Sequence, residues 1–272
     1  MMGADDRPLE GEWAMILGAS SGFGEAVALE LASLGMHIFG VHLDRKGTLP
    51  NVERIVGQIR ALQREAVFFN ANAADGEKRQ EIFETVRAKL GEPGMSGSIR
   101  VLLHSLAFGT LKPFLAKSAP EAANKAQLDM TLDVMANSLV YWVQDLVASG
   151  WMGRGGRIFA MTSAGGSRVW PTYGPVSAAK AALESHIRQL ALELAPLGIT
   201  ANAIMAGVTD TPALRKIPGS DAMLTLAQRK NPSGRLTTPR DVAEAIGLLS
   251  HPKSQWVTGN VICVDGGEFV VD

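Results

Sequence analysis

The sequence predicts an α/β protein: a Rossmann-like, doubly wound parallel sheet of about seven strands with helices on both faces. Three observations carry that expectation. Strand and helix signals alternate from one end of the chain to the other without an internal repeat. A glycine-rich turn, GASSGFG at 18–24, falls between the first strand signal and the first helix signal. Apolar residues make up 46% of the 272, enough to bury a sheet on both faces.

The elements follow in order. Residues 13–17 form a short apolar run, and 22–34 place Val27, Leu29, Leu31 and Leu34 at helix-like spacing before Gly35, a natural stop. Residues 37–41 read as a second strand and 51–63 as a helix with Ile55, Ile59 and Leu62 on one face. A third strand at 66–69 and a helix at 77–90 closed by Gly91 come next, then a strand at 99–103. A long helical stretch lies within about 121–149, followed by a strand at 157–161, a helix at 173–195 and a strand at 199–204. Thr238-Pro-Arg-Asp opens a late helix with an N-cap, a proline suited to the first turn and an acid at the positive end of the dipole. Residues 261–264 are the last strand. No linker divides the chain, so 1–272 is expected to be one domain. Its one long irregular region, about 207–237, is expected to be a mobile substrate lid at a strand's C-terminal edge.

Composition excludes several classes. The net charge is −1 and the aromatics are not interleaved with basic residues, so neither nucleic acid nor an anionic membrane is the expected partner. Cys263 is the only cysteine, which excludes an intrachain disulfide, and its VICVD context makes it an expected buried strand residue. The five histidines show no metal-ligand spacing, and no metal is expected. The first residues, MMGADDRPLEGEW, are polar and acidic, and no run approaches a membrane span. A cytoplasmic location is the expectation.

The chemistry is concentrated in YGPVSAAK. Tyr173 and Lys180 stand seven residues apart, about two helical turns, and so share a face. A neighbouring ammonium lowers a phenol's proton affinity and stabilises the phenolate. The more common arrangement has the tyrosine one turn before the lysine, at a position held here by Val176. A donor set back by a turn suits an oxyanion further from the hydride-accepting carbon, as in a conjugated enoyl thioester. Ser163, at a strand end, either hydrogen-bonds the substrate carbonyl or caps the strand. Asn137, in MANSLVYW, either holds a water that relays protons to Lys180 or sits on a solvated face. Phe108, Gly109, Met205 and Trp170 are candidates for the acyl pocket, against the plainer reading of core.

In the glycine turn, Gly18 permits the tight bend, Gly22 lets backbone approach a phosphate and Gly24 allows close helix–strand packing, with Ser20, Ser21 and Phe23 beside them. After strand two comes His42-Leu43-Asp44-Arg45-Lys46. An acid there binds a ribose diol, whereas Arg45 and Lys46 suit a 2′-phosphate. With His42 where the acid often sits, NADPH is the expected cofactor and NADH the alternative.

GASSGFGEAVALELASLG, Ser163, the Tyr173–Lys180 pair, ITANAIMAGVTDTPAL and VTGNVICVDGG together resemble a short-chain dehydrogenase/reductase over essentially the whole chain. The Tyr-x6-Lys spacing and His104-Ser-Leu-Ala-Phe-Gly are similar to bacterial enoyl-acyl-carrier-protein reductases. The short-chain glycine motif, the NPSGR segment and Ser163, in place of an additional tyrosine, resemble their NADPH-preferring L-form. The resemblance implies a homotetramer that reduces trans-2-enoyl thioesters on acyl carrier protein or CoA in fatty-acid synthesis. Tyr173 would protonate or stabilise the enolate and Lys180 would hold the ribose hydroxyls. It further assigns Asn72 and Ala73 to the adenine, Ser105, Leu106 and Ala107 to the ribose side, and Gly207, Val208, Thr209 and Thr211 to the carboxamide. A carbonyl reductase of the same fold and a non-catalytic dinucleotide-binding regulator are the rival readings.

Overall fold

A computed structural model describes residues 9–95 and 97–271. Seven parallel strands form one sheet in the order β3-β2-β1-β4-β5-β6-β7. They are β1 (Trp13–Leu17), β2 (His37–His42), β3 (Ala66–Asn70), β4 (Ile99–His104), β5 (Arg157–Thr162), β6 (Thr200–Ala206) and β7 (Val261–Val264). The order reverses between β1 and β4, so the crevice above their C-terminal ends is the switch point where ligands bind in such sheets. The helices are α1 (Gly22–Ser33), α2 (Leu49–Ala61), α3 (Gly76–Leu90), α4 (Lys125–Leu132), α5 (Ser138–Ala148), α6 (Gly174–Leu194), α7 (Ser220–Lys230) and α8 (Pro239–Ser250).

Two apolar layers sandwich the sheet, and the alternation of the strands sorts residues between them. Trp13, Met15 and Leu17 of β1 face one layer with Phe83, Trp142, Leu183 and Ile187. Ala14 and Ile16 face the other with Val27, Leu31, Ile55, Val242 and Ile246. The central strands are therefore buried on both sides, which is why they read as continuous apolar runs.

Two expectations need correction. The region 207–237 is not irregular throughout. It contains α7, whose Ser220 and Ala227 are buried, and its proline, glycine and charge content masked that helix. Cys263 is exposed, because β7 is an edge strand and has a neighbour on one side only. The expected helical stretch within 121–149 is present as α4 and α5, joined without a break by a π-helical turn at Asp133–Asn137. Of the polar N-terminal segment, residues 1–8 lie outside the described residues.

The glycine turn is fixed by close approach. Gly18 has φ +91°, and a Cβ there would stand 2.4 Å from the Ser105 carbonyl oxygen. A Cβ at Gly24 would stand 1.9 Å from the Gly18 carbonyl oxygen. Gly24→Ala must therefore push α1 away from β1. We expect it to cost about 3 kcal/mol, an overpacking loss, with a fall of about 6–12 °C in Tm. Thermal unfolding and dinucleotide binding of the variant check this, and binding should weaken with stability because the same turn serves both.

Candidate active site

Tyr173 precedes the first residue of α6, and Lys180 lies two turns into it. Thr172, just before, has φ +64°, a strained conformation for a β-branched residue, and its buried Oγ1 has no partner. That strain sits next to the tyrosine, where a reactive group has to be held in one place.

Lys180 is buried, and its ammonium donates to the Met161 carbonyl at 2.6 Å. Burial lowers its pKa to about 8, opposed by the carboxylate of Glu184. Glu184 in turn accepts from the Thr162 hydroxyl at 2.6 Å, so the end of β5 and one face of α6 are cross-tied. The Tyr173 hydroxyl lies 3.4 Å from the Ser163 hydroxyl. Ser163 also accepts from the Gly165 amide at 3.2 Å, so it serves as a cap and also faces the phenol. The sequence suggested that the ammonium would lower the phenol's proton affinity. In the structure burial raises the Tyr173 pKa, and the Ser163 hydrogen bond works against it. Lys180 spends a proton on backbone instead.

A cavity of about 470 Å³ opens above these groups. Phe108, Gly109 and Trp170 line it, as do Ala107, Phe23, Gly207, Val208, Thr209 and Thr211. Val176 is part of its wall, apolar where the more common proton donor would stand. Met205 is not among the lining residues; it is buried in β6. Two cross-links shape the rim. The Trp170 indole donates to the Pro218 carbonyl at 3.2 Å, and Arg168 donates to the Phe269 carbonyl at 2.7 Å while lying over its ring.

Asn137 ends the π-helical turn, and its side-chain oxygen pairs with His186 on α6 at 3.1 Å. It is therefore not an idle residue on a solvated face. His104 is buried and neutral, its pKa brought down to about 3 by burial and by Lys180. One of its ring nitrogens reaches the Ser138 hydroxyl at 2.9 Å.

The residues of the glycine turn fit a dinucleotide. No Cβ has room at Gly18 or Gly24, and Ser21, at the N-cap of α1, makes no side-chain capping bond, which leaves that helix end open to an anion. Ser20 is anchored through its carbonyl, which accepts from Asn51 at 2.7 Å. Asn72 folds back on the Ala74 amide, and Ala73 is buried with its carbonyl taken by Trp142. Ser105 donates its amide to the Leu17 carbonyl, and Leu106 packs into the core. His42 is turned into the sheet and pairs with Asp44 at 2.9 Å. Asp44 is the group presented at the turn. Burial alone would raise its pKa, but hydrogen bonds from Ser20, Thr48 and His42 outweigh it and hold the carboxyl below its ordinary value. Arg45 and Lys46 are exposed beside it. The sequence displayed both the acid and the basic pair at this turn, and the structure brings the Asp44 carboxyl within hydrogen-bond reach of Ser20. Glu268 and Arg168 carried no local signal at all.

A parallel sheet of this order, a glycine cradle at its switch point and a half-buried tyrosine two helical turns before a buried lysine define a nicotinamide-dependent oxidoreductase. The family model described as Enoyl-(Acyl carrier protein) reductase matches residues 18–268, and the chain belongs to that family, within the short-chain dehydrogenase/reductases. Among relatives, it is 28% identical to an enoyl-[acyl-carrier-protein] reductase [NADH] from Nostoc, over 95% of this chain and 96% of that one. It is 29% identical to a 3-oxoacyl-[acyl-carrier-protein] reductase from Pseudomonas aeruginosa, over 96% and 99%. The solved enoyl-[acyl-carrier-protein] reductase (NADH) from Aquifex aeolicus superposes with a TM-score of 0.82 at 25% identity, over 97% and 98% of the two chains. No helix among the described residues is long and apolar enough to cross a membrane, and none of their side chains cluster as a metal site.

Any rate that requires the ammonium must respond to its lowered pKa. The protonated form is present below about pH 8 and is lost above it. Turnover at saturating substrate is expected to fall about tenfold per pH unit beyond that point. In Lys180→Met the remaining activity should show no such limb, as a pH–rate profile would reveal.

Proposed function

We propose that the protein reduces the 2,3 double bond of a trans-2-enoyl thioester, carried on acyl carrier protein or CoA, in fatty-acid synthesis. The observation that carries this reading is the proton donor: Tyr173 stands one turn before the usual place, and Val176 at that place is an apolar wall of the cavity. The bound cofactor supplies the hydride, to C3 of the thioester. Tyr173 meets the oxygen of the thioester carbonyl, whose carbon lies two atoms from C3, and stabilises or protonates the enolate. Its raised pKa keeps the phenol protonated until charge develops on that oxygen. Ser163 steadies the phenol, and Lys180 holds the ribose hydroxyls. Phe108, Gly109 and Trp170, with Leu111 and Leu226, offer an apolar wall to an acyl chain.

For the cofactor we place the pyrophosphate against Gly18, Ser20, Ser21, Gly22, Phe23 and Gly24. The adenine lies by Asn72 and Ala73, the ribose by Ser105, Leu106 and Ala107, and the carboxamide along Gly207, Val208, Thr209 and Thr211. Exposed Arg45 and Lys46 favour the 2′-phosphate of NADPH, whereas the Asp44 carboxylate near Ser20 opposes it. We read the balance as NADPH. The chain is taken as one domain whose segment 207–237 acts as a lid, in a cytoplasmic homotetramer. The exposed edge at Val261 and Cys263 with its neighbour Trp256 supports assembly.

The rival is reduction of a 3-oxoacyl thioester, favoured by the 3.4 Å Ser163–Tyr173 pair, which also suits a carbonyl oxygen. Cofactor oxidation with a short trans-2-enoyl thioester and with a 3-oxoacyl thioester separates the two. The enoyl substrate is expected to turn over, with Tyr173→Phe losing at least a hundredfold. Turnover of the 3-oxo substrate alone would reverse the assignment. Arg45→Ala should raise KM for NADPH about tenfold and leave KM for NADH unchanged, while Asp44→Ala should favour NADPH further. Equal effects on both cofactors would sink the NADPH reading.

A further inference from the structure

Glu268 lies in the short helical turn Glu268–Val270 that follows β7, far along the chain from the glycine turn and the tyrosine–lysine pair. Its position is built, not incidental. The Asp265 carboxylate accepts from the amides of Gly267 and Phe269 at 2.9 and 2.8 Å, and the Asp265 carbonyl accepts from Asn231 at 2.7 Å. Arg168 grips the Phe269 carbonyl and ring from the opposite rim. So held, Glu268 puts a carboxylate into the wall of the same cavity that Tyr173 and Lys180 line.

There its Oε2 accepts from the Val208 amide at 3.0 Å. The approach needs glycine at 207, because a Cβ there would stand 2.9 Å from that oxygen and 2.3 Å from the Thr237 hydroxyl. Charged neighbours act on the carboxylate from three sides: Asp265 from its own turn, Lys230 from the end of α7 and Arg168 from the segment after β5. Burial outweighs the two cations and raises its pKa. The carboxylate is thus imperfectly compensated where it stands, and the Val208 amide is its one hydrogen-bonded partner among those found.

A backbone amide has one proton. We propose that Glu268 sets the affinity of the cofactor site, because its carboxylate occupies the Val208 amide that the nicotinamide carboxamide oxygen must take. The inference rests on the placement of the carboxamide along Gly207–Thr211 made above. Docking exchanges acceptors: the amide turns from carboxylate to carboxamide, and Glu268 withdraws toward water and Lys230. Each binding event therefore gives up a charge-assisted hydrogen bond in exchange for a neutral one, and the carboxylate works as a brake on cofactor affinity.

Fluorescence titration of the full-length protein with NADPH and with NADH, without substrate, tests this on Glu268→Ala and Glu268→Gln. Glu268→Ala is expected to bind both dinucleotides about tenfold tighter than the parent. Glu268→Gln, whose amide oxygen is a weaker acceptor, should fall between them. A gain in affinity is a readout that damage to the fold would not produce, and thermal unfolding of each variant guards the comparison. Unchanged or weaker binding in Glu268→Ala, with the parent binding normally, overturns the proposal alone and makes Glu268 a support of the cofactor. Absence of binding in the parent overturns the assignment of the site and the proposal together. Because no thioester is present, the result stands whichever substrate the enzyme reduces.

Discussion

The site depends on a cation that the protein had to bury. Lys180 lines the cavity, buried, with one proton committed to the Met161 carbonyl. Moving an ammonium out of water is costly unless its protons are met. The fold meets the cost in three ways: a strand-end carbonyl as acceptor, Glu184 near enough to favour the charge, and a pKa allowed to drift down to about 8. The residues around it follow from the same constraint. His104 is kept neutral and Val176 is apolar, so that neither sets a second cation beside the ammonium, and Glu184 is steadied by the Thr162 hydroxyl.

Tyr173 shows how such a site divides labour. Burial raises the Tyr173 pKa, and in the role proposed for it a weakly acidic phenol suits a donor that waits for charge to appear on the substrate. Its position is fixed by backbone that the rest of the chain compels into an unfavourable conformation at Thr172, and by the Ser163 hydroxyl across from it. The rim is fixed by longer ties: Trp170 to Pro218, and Arg168 to Phe269. Three segments remote in sequence thus close on one another around the reacting groups, and each carries its own polar contact to the next.

Sequence patterning was sufficient where neighbours along the chain make the structure. The glycine turn, the buried strands and the capped start of α8 are such cases, the last with its Thr238–Asp241 box in place. It was sufficient for the tyrosine–lysine spacing because Tyr173 is the N-cap of the helix that carries Lys180. It was insufficient for α7, whose turn-rich flanks hide a helix stabilised by packing, and for Met205, which carries the same side chain whether it faces a cavity or a sheet. Cys263 was misjudged for a related reason, since an apolar strand pattern does not say whether the strand is central or at the edge.

By itself the sequence determined the class of fold, the glycine turn after β1 and the spacing of Tyr173 and Lys180, because each is a property of patterns along the chain. Only the tertiary structure decided which charges meet. It turned His42 inward and brought Asp44 to the glycine turn, set Glu268 against the Val208 amide sixty positions away, and gave Asn137 to His186. The reason is physical: hydrogen bonding and desolvation act over a few ångströms of space, and the sheet order, β1 beside β4 and β6 beside β7, fixes which distant residues fall within that range.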